Sequence, residues 1–228
     1  MVTTNSTTQA SSFVNPANFS MVKAHNLSKT NLLEIPTDKI WPTWDARFTR
    51  APQQLPPNTY VKTPSLLAYN PATSSKLGNQ LLIEADVCQI LMAYPHPNIV
   101  KYLGCIVENG MIKGLCFTKL PMTLARRLRM GKPLDTDHCI KGIESGVHHL
   151  HKLGFINNDL NPSNIMMDGD NPIIIDFDSS KREGEELGWK EGTIGWAKEG
   201  IRYANRDNDF YGISQVRRFL MGMGMGRG

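Results

Sequence analysis

Apolar residues recur along the chain with two different periods. In one stretch they return every three or four positions, which predicts an amphipathic helix containing Leu81, Ala85, Cys88, Leu91 and Met92. A strand around Val61, ended by Pro64, precedes this helix. The apolar segments 98–105 and 111–118 follow it, and the sequence Glu-Asn-Gly at 108–110 between them is typical of a β-hairpin.

The second half of the chain begins with another helix and continues in short strands. The apolar positions of this helix are Ile140, Ile143, Val147 and Leu150. Asp135, Thr136 or Asp137 can cap its start, and Gly154 suits the position after its end. The predicted strands are 155–157, 164–167 and 172–175. This order predicts an α+β fold of two lobes with a cleft between them, and clefts between lobes are favoured ligand sites.

The composition does not alter the predicted fold, but it argues against two kinds of function. Of the 228 residues, 40% are hydrophobic and 20% are charged, which is typical of a soluble globular protein. There is no run of about 18 apolar residues, so we expect no membrane span. The net charge is only +4, and the basic residues are scattered, so we expect no nucleic-acid partner.

The cysteines and the first residues bear on the cellular compartment. Cys88, Cys105, Cys116 and Cys139 lie in or beside apolar stretches and are too widely spaced for a CxxC metal motif. We therefore predict buried free thiols. The N-terminal residues contain no apolar segment typical of a secretory signal. A cytoplasmic location, or a nuclear one, is expected.

The domain organisation follows from shifts in composition. Residues 1–30 are rich in Ser, Thr and Asn and are predicted to be disordered, whereas prolines and aromatic residues alternate in 32–58. The expected organisation is a disordered to irregular arm (1–54), a small N-terminal lobe (55–118), a large C-terminal lobe (119–220) and a flexible tail (221–228).

Three polar residues close to the last short strands suggest a chemistry. Asp159 and Asn164 lie in one loop, and Asp176 ends the apolar run 172–175. A hairpin between them would bring their oxygens to one edge, and Mg²⁺ prefers such oxygens when phosphates and waters complete its shell. Phosphoryl transfer needs a metal on the phosphates, a cation beside them and a residue that orients the attacking hydroxyl. The sequence offers candidates for each.

The order of the motifs resembles that of the eukaryotic protein kinases, and most closely that of small fungal protein-kinase-like proteins. The resemblance covers about residues 59–220. Residues 157–164 (NNDLNPSN) are similar to the catalytic loop H-R-D-L-x-x-x-N, and residues 176–178 (DFD) stand where D-F-G belongs. Residues 96–104 (HPNIVKYLG) resemble the strand after helix αC, and residues 192–199 (GTIGWAKE) resemble the end of an activation segment.

The resemblance implies ATP and Mg²⁺ as cofactors, a protein substrate and a role for each polar residue of the loop. Asp159 would orient the substrate hydroxyl and accept its proton, while Asn164 and Asp176 would hold Mg²⁺. Either Asp207 or Asp209 would match the acid at the start of the helix after the activation segment. A monomer is expected.

The resemblance also implies a nucleotide site in the small lobe. Lys62 would contact the α- and β-phosphates, and Glu84 would pair with it, with Asp86 as the competing acid. Phe117 would lie at the back of the adenine pocket. Backbone groups of the following segment would bond the adenine; this segment is Thr118, Lys119 and Leu120.

Several family positions hold other residues. No G-x-G-x-x-G precedes Lys62, so the phosphate-covering loop is either missing or replaced by the proline-rich arm, and weak nucleotide binding is expected. Asn157 and Asn158 replace His-Arg, which makes activation by loop phosphorylation unexpected. Asn161 replaces the catalytic-loop lysine, and Asp178 replaces the glycine of D-F-G.

These observations leave three functions open. We favour a protein serine/threonine kinase, because Lys62, Glu84, Asp159, Asn164 and Asp176 occur together. A pseudokinase that binds a nucleotide or a partner is the alternative, favoured by the missing glycine loop. A phosphotransferase for a small hydroxylated molecule is the third, since Asn before the catalytic Asp also occurs in aminoglycoside- and choline-kinase-like enzymes.

Overall fold

The computed structural model describes residues 37–65, 75–188 and 193–222. The first elements are α1 (Thr37–Ile40), β1 (Thr59–Lys62), α2 (Ser75–Ala93), β2 (Tyr102–Glu108) and β3 (Met111–Thr118). The later elements are β4 (Met122–Thr123), α3 (Leu124–Arg129), α4 (Thr136–Lys152), β5 (Phe155–Ile156), β6 (Ile165–Asp168), β7 (Asn171–Ile174), β8 (Lys181–Arg182) and α5 (Arg206–Leu220). The predicted α+β fold is confirmed. The predicted disorder of residues 1–30 lies outside the described residues.

The small lobe is an antiparallel sheet in the order β1, β3, β2, covered on one face by α2. The predicted hairpin between β2 and β3 is confirmed, and Asn109 (φ 51°) and Gly110 (φ 74°) supply the left-handed backbone of its turn. Four of the five apolar residues predicted on the helix stripe are buried, and these are Leu81, Ala85, Cys88 and Leu91. The fifth, Met92, lies in the last turn and is 39% exposed, so the buried stripe ends before the helix does.

The arm that precedes β1 adds to the sheet at its β2 edge. Cys105 of β2 receives a backbone hydrogen bond from Ala51 and donates one to Thr49. Phe48 is buried, and Gln89 of α2 bonds the backbone and hydroxyl of Thr49. The expectation that the proline-rich arm replaces the phosphate-covering loop is therefore wrong for residues 37–51. Burial of the arm's apolar side chains against α2 holds it on the edge opposite β1.

Residues 98–100 connect the two lobes instead of extending β2 as predicted. The backbone of Asn98 accepts a hydrogen bond from Ile174 of β7 at 2.8 Å, and Val100 donates one back to Ile174 at 3.0 Å. The Asn98 side chain donates to the Pro172 carbonyl at 2.8 Å. Because these backbone groups bond β7, they cannot pair within the small-lobe sheet, and β2 begins only at Tyr102.

Helix α4 forms the centre of the large lobe. Its predicted apolar residues are each at most 1% exposed, and they are Ile140, Ile143, Val147 and Leu150. Asp135 is the cap, since its carboxylate accepts the His138 amide at 2.9 Å, and Gly154 follows the helix at φ 80°. Strand β7 packs so closely that a Cβ on Gly142 would lie 2.5 Å from Pro172 Cγ.

The segment between β3 and α4 contains β4 and α3. Strand β4 joins β6 and β7 in one sheet, and β5 pairs with β8. Thr123 caps α3 by accepting the Arg126 amide at 3.1 Å. The sequence did not predict α3 because six residues are too few to show a helical period.

The four cysteines are buried and free, which confirms that prediction. Burial raises the pKa of Cys116 and of Cys139 to about 11, so both thiols are protonated at neutral pH. Within the described ranges, no helix combines the length and the apolar character that crossing a membrane requires.

We expect Gly104→Ala to loosen the arm from β2. Gly104 has φ 118°, and an added Cβ would lie 2.6 Å from the Ala51 nitrogen. Strain and overlap together should cost about 2–4 kcal/mol of the free energy of unfolding. Gly110→Ala is the matched control, because Gly110 also has a positive φ but has no atom within 4 Å of the added Cβ. It should cost only about 1 kcal/mol in urea unfolding. Equal losses would show that the arm contact adds nothing.

Candidate active site

A cavity of about 360 Å³ opens between the two lobes. Seven of the predicted site residues line it, namely Lys62, Glu84, Phe117, Thr118, Lys119, Leu120 and Asp176. A larger cavity of about 830 Å³ lies around the end of α2 and the loop that follows it. That cavity is lined mainly by apolar side chains and by neither Glu84 nor Asp176. Asp159 and Asn164 line neither of the two cavities. The smaller cavity is therefore the one that contains the predicted chemistry.

Lys62 contacts two acids within the cleft. Its Nζ lies 2.6 Å from Glu84 Oε2 and 2.9 Å from Asp176 Oδ1. The competing acid on α2, Asp86, lies instead 3.4 Å from Arg47, and the side chains of both are at least half exposed. The structure thus brings together the three residues predicted for the phosphate end of a nucleotide site.

The ion pair of Lys62 and Glu84 is largely buried, since the Glu84 side chain is 1% exposed. Burial raises the pKa of Glu84, and the Lys62 ammonium opposes that rise. For Lys62, burial lowers the pKa, but the carboxylates of Glu84, Asp176 and Asp178 outweigh it and raise the pKa above its usual 10.5. Lys62 is therefore charged at neutral pH. Glu84 Oε1 also accepts the Phe177 amide at 3.2 Å.

The loop between β5 and β6 presents Asp159, whose carboxylate accepts three N–H groups. Asn164 donates to Oδ2 at 2.9 Å, and Asn161 donates to Oδ1 at 3.2 Å. The backbone amide of Thr193, in the predicted activation segment, donates to Oδ1 at 2.9 Å. This last contact has no signal in the sequence, because any residue except proline can supply a backbone donor.

Asn164 and Asp176 offer oxygens that fit a Mg²⁺ ion. The Asn164 amide nitrogen donates to the backbone and side chain of Asp159, which turns the amide oxygen away from Asp159. The backbone amide of Ile175 donates to the backbone carbonyl of Asn164 at 3.0 Å. This bond holds the next residue, Asp176, beside Asn164. One amide and one carboxylate suit an ion whose other ligands are waters and phosphates. Among the described residues, no cluster of three or more His, Cys, Asp or Glu could hold a metal.

A buried carboxylate on α5 supports the loop that contains Asp159. Asp209 accepts the Asn157 amide at 2.9 Å and the Asn158 amide at 2.8 Å, and His151 Nε2 lies 2.8 Å from it. Asn158 has a left-handed backbone with φ 64°, which Asn tolerates better than most residues. Of the two acids left open by the sequence, Asp209 therefore occupies the supporting position, and Asp207 is exposed.

The segment predicted to bond adenine already uses two of its amides. Thr118 N donates to the Lys101 carbonyl at 3.0 Å, and Lys119 N donates to the Asn58 carbonyl at 2.8 Å. In the part of the chain that the structure describes, the Leu120 amide has no hydrogen-bond acceptor. Leu120 is thus the member of this segment best placed to donate to a base.

The chain belongs to the protein kinase family. The family model described as protein kinase domain matches residues 68–205, which is more than half of the chain. This match begins after Lys62 and ends before Asp209. The placement of those two residues therefore rests on the structure, and the catalytic and binding roles of all the site residues stay predictions.

Individual relatives support the same family. The chain is 31% identical over 127 residues to a probable LRR receptor-like serine/threonine-protein kinase of Arabidopsis thaliana, covering 50% of this chain and 13% of that protein. It is 29% identical over 131 residues to the probable serine/threonine-protein kinase irlD of Dictyostelium discoideum, covering 51% and 9%. A probable CTD kinase subunit alpha homolog of Encephalitozoon cuniculi is 34% identical over 92 residues, covering 39% and 28%. The chain spans less than a third of each relative's length.

We expect Asp209→Ala to destabilise the protein strongly. The change would leave two backbone amides and His151 without their acceptor in a buried place. The expected loss is about 3 kcal/mol or more in denaturant unfolding. Asp207→Ala is the control, because Asp207 is exposed in the first turn of the same helix and should cost only about 0.5 kcal/mol. Similar losses of unfolding free energy in the two variants would contradict the supporting role of Asp209.

Proposed function

We propose that this chain transfers the γ-phosphoryl group of ATP, with Mg²⁺, to a serine or threonine hydroxyl of a protein. One observation carries the proposal: Lys62 Nζ lies 2.6 Å from the buried Glu84 and 2.9 Å from Asp176. A strand lysine without function would extend into water, because burying a charged pair is costly. The family membership and the relatives named as serine/threonine kinases support the same reaction.

The residues divide between binding and chemistry. Asn164 and Asp176 would hold Mg²⁺, which when bound neutralises charge on the phosphates. Lys62, positioned by Glu84, would bind the α- and β-phosphates. Asp159 would accept the proton of the substrate hydroxyl, and its orientation is already fixed by the Asn164 amide at 2.9 Å.

Adenine would bind between the lobes, where Phe117 and the segment 118–120 line the cavity. The Leu120 amide would donate to the base. The first strand of the small-lobe sheet is β1, so in the described residues no backbone loop covers the phosphates. We therefore expect weak nucleotide binding and slow turnover. The four free thiols favour a reducing compartment, so a cytoplasmic or nuclear location is proposed as well.

A pseudokinase is the second candidate, and a specific contact favours it. The Thr193 amide donates to Asp159 Oδ1 at 2.9 Å, on the carboxylate that would receive the substrate hydroxyl. Asn161 also donates to Oδ1 and lies 3.4 Å from the Thr193 hydroxyl. If this arrangement persists, the substrate hydroxyl would compete with the activation segment for Asp159.

Turnover of ATP decides between the two candidates. We expect Mg²⁺-dependent transfer to generic protein substrates by the purified protein. Asp159→Asn should lower it about 10²–10⁴-fold, because general-base catalysis contributes about this factor. The melting temperature and the affinity for nucleotide should change little. Asp168→Asn, which removes the same charge at the exposed end of β6, should keep full turnover. Turnover of the unchanged protein no higher than background would support a pseudokinase, whereas equal turnover above background in the Asp159 variant would exclude Asp159 from the reaction.

The ion pair makes a separate prediction about stability. Lys62→Met should cost about 3 kcal/mol of unfolding free energy, because it leaves Glu84 buried and unpaired. The double variant Lys62→Met with Glu84→Gln should recover part of that loss, since neutral Gln can still accept the Phe177 amide. Turnover should stay low in both. Lys101→Met, on an exposed lysine, is the control and should change neither quantity. If the losses of unfolding free energy add in the double variant, Lys62 and Glu84 are not coupled.

A further inference from the structure

Tyr60 lines the cavity of about 360 Å³, and none of the roles above uses it. It stands two residues before Lys62, where the kinase motif V-A-I-K has alanine. Because side chains alternate along a strand, Tyr60 lies on the same face of β1 as Lys62. It is 47% exposed, so nearly half of this aromatic residue is accessible to a ligand or to water. A large aromatic ring thus stands where the family motif has a methyl group.

The cavity has apolar walls from both lobes. Tyr60 is directly opposite Phe117 in the pairing of β1 with β3, and opposite residues of neighbouring strands share a face of the sheet. Met166 of β6 and Ile175, which follows β7, line the cavity from the large lobe. A flat aromatic group in this cavity would therefore have apolar neighbours from both lobes. The base of a nucleotide is such a group.

The wall from the small lobe is formed at the edge of the sheet. The strand order is β1, β3, β2, so within the three described ranges no strand lies beyond β1. A base in the cavity would be covered from this lobe by side chains and not by a further strand. With alanine at position 60, this cover would lose an aromatic ring, and more of the base would stay in water. A tyrosine supplies a large, rigid contact area at low conformational cost, since its side chain has only two rotatable torsions.

We propose that Tyr60 binds the base of the nucleotide by stacking its ring against it. The inference rests on the proposed function and goes further, because it assigns the base contact to a residue that the family motif does not contain. Stacking on an aromatic side chain tolerates any base, since every base has a flat π face. The gain grows with the apolar area that is buried, so we expect a purine to gain more from Tyr60 than a pyrimidine.

The test compares Tyr60→Ala with Tyr60→Phe, which keeps the ring and removes only the hydroxyl. The affinities for ATP and for UTP are measured by thermal-shift titration of the full chain in Mg²⁺. Tyr60→Ala should bind ATP about tenfold more weakly than the unchanged protein, and Tyr60→Phe should agree with it within about threefold. The loss of affinity for UTP should be smaller. Without a nucleotide the melting temperatures should change little, because the residue is nearly half exposed.

The matched control is Tyr94→Ala. Tyr94 follows the end of α2 and is 57% exposed, so its removal should leave both affinities unchanged. An equal loss of affinity in this control would overturn the proposal, because the effect would then not depend on the cavity.

Four further results would overturn the proposal. An unchanged affinity for ATP in Tyr60→Ala would do so while leaving the proposed function intact. Tighter binding of ATP would also do so, because the ring would then occupy the space of the base. An equal loss of affinity for UTP would assign the effect to the phosphates, which both nucleotides share, and an equal loss in Tyr60→Phe would assign it to the hydroxyl. If the unchanged protein binds no ATP in Mg²⁺, the proposed function fails and this inference fails with it.

Discussion

The cleft depends on the burial of the Glu84 carboxylate. A buried carboxylate without partners is strongly destabilising, so the segments that supply its partners are constrained to meet it. One partner is the Lys62 ammonium on β1 at 2.6 Å, and the other is the Phe177 amide at 3.2 Å. Phe177 itself is fully buried. Helix α2, strand β1 and the Asp-Phe-Asp segment are thus held together by one side chain, and Asp176 is positioned as a consequence.

A second buried carboxylate does the same for the other side of the cleft. Asp209 accepts the amides of Asn157 and Asn158, the two residues immediately before Asp159. Each of the two acids accepts a backbone amide next to an acid of the cleft: Glu84 accepts that of Phe177, beside Asp176, and Asp209 accepts that of Asn158, beside Asp159. Backbone amides suit this purpose, because their direction is set by the main chain and not by a rotatable side chain. The orientation of Asp159 and of Asp176 is therefore fixed in the fold before any ligand binds.

The sequence was sufficient for elements with a clear local pattern. Helices α2 and α4, the β2–β3 hairpin, and the loop that joins Asp159 to Asn164 follow from local periods and motifs. The position of the arm could not be predicted, because it depends on hydrogen bonds between Thr49 and Gln89, which are 40 residues apart in the sequence. The choice between Asp207 and Asp209 also needed the structure, since both lie in the first turn of α5 and only burial distinguishes them. The contact between Thr193 and Asp159 could not be predicted from the sequence, since its donor is a backbone amide.

Asn158 stands where the family motif has arginine, and neutral hydrogen bonds hold it in this structure. Asn158 donates to the Ser179 carbonyl at 3.2 Å and accepts a hydrogen bond from Asn208 at 2.9 Å. It thereby joins the catalytic loop, the start of the activation segment and α5 by neutral hydrogen bonds within the protein. An arginine at this position would bring a buried positive charge that needs an anion, such as a phosphate on the activation segment. An amide needs no such partner, because the carbonyl and amide groups around it satisfy it fully. In other kinases this connection can depend on phosphorylation of the activation segment. Here it forms in the unmodified protein, and this is the structural basis for expecting no activation by loop phosphorylation.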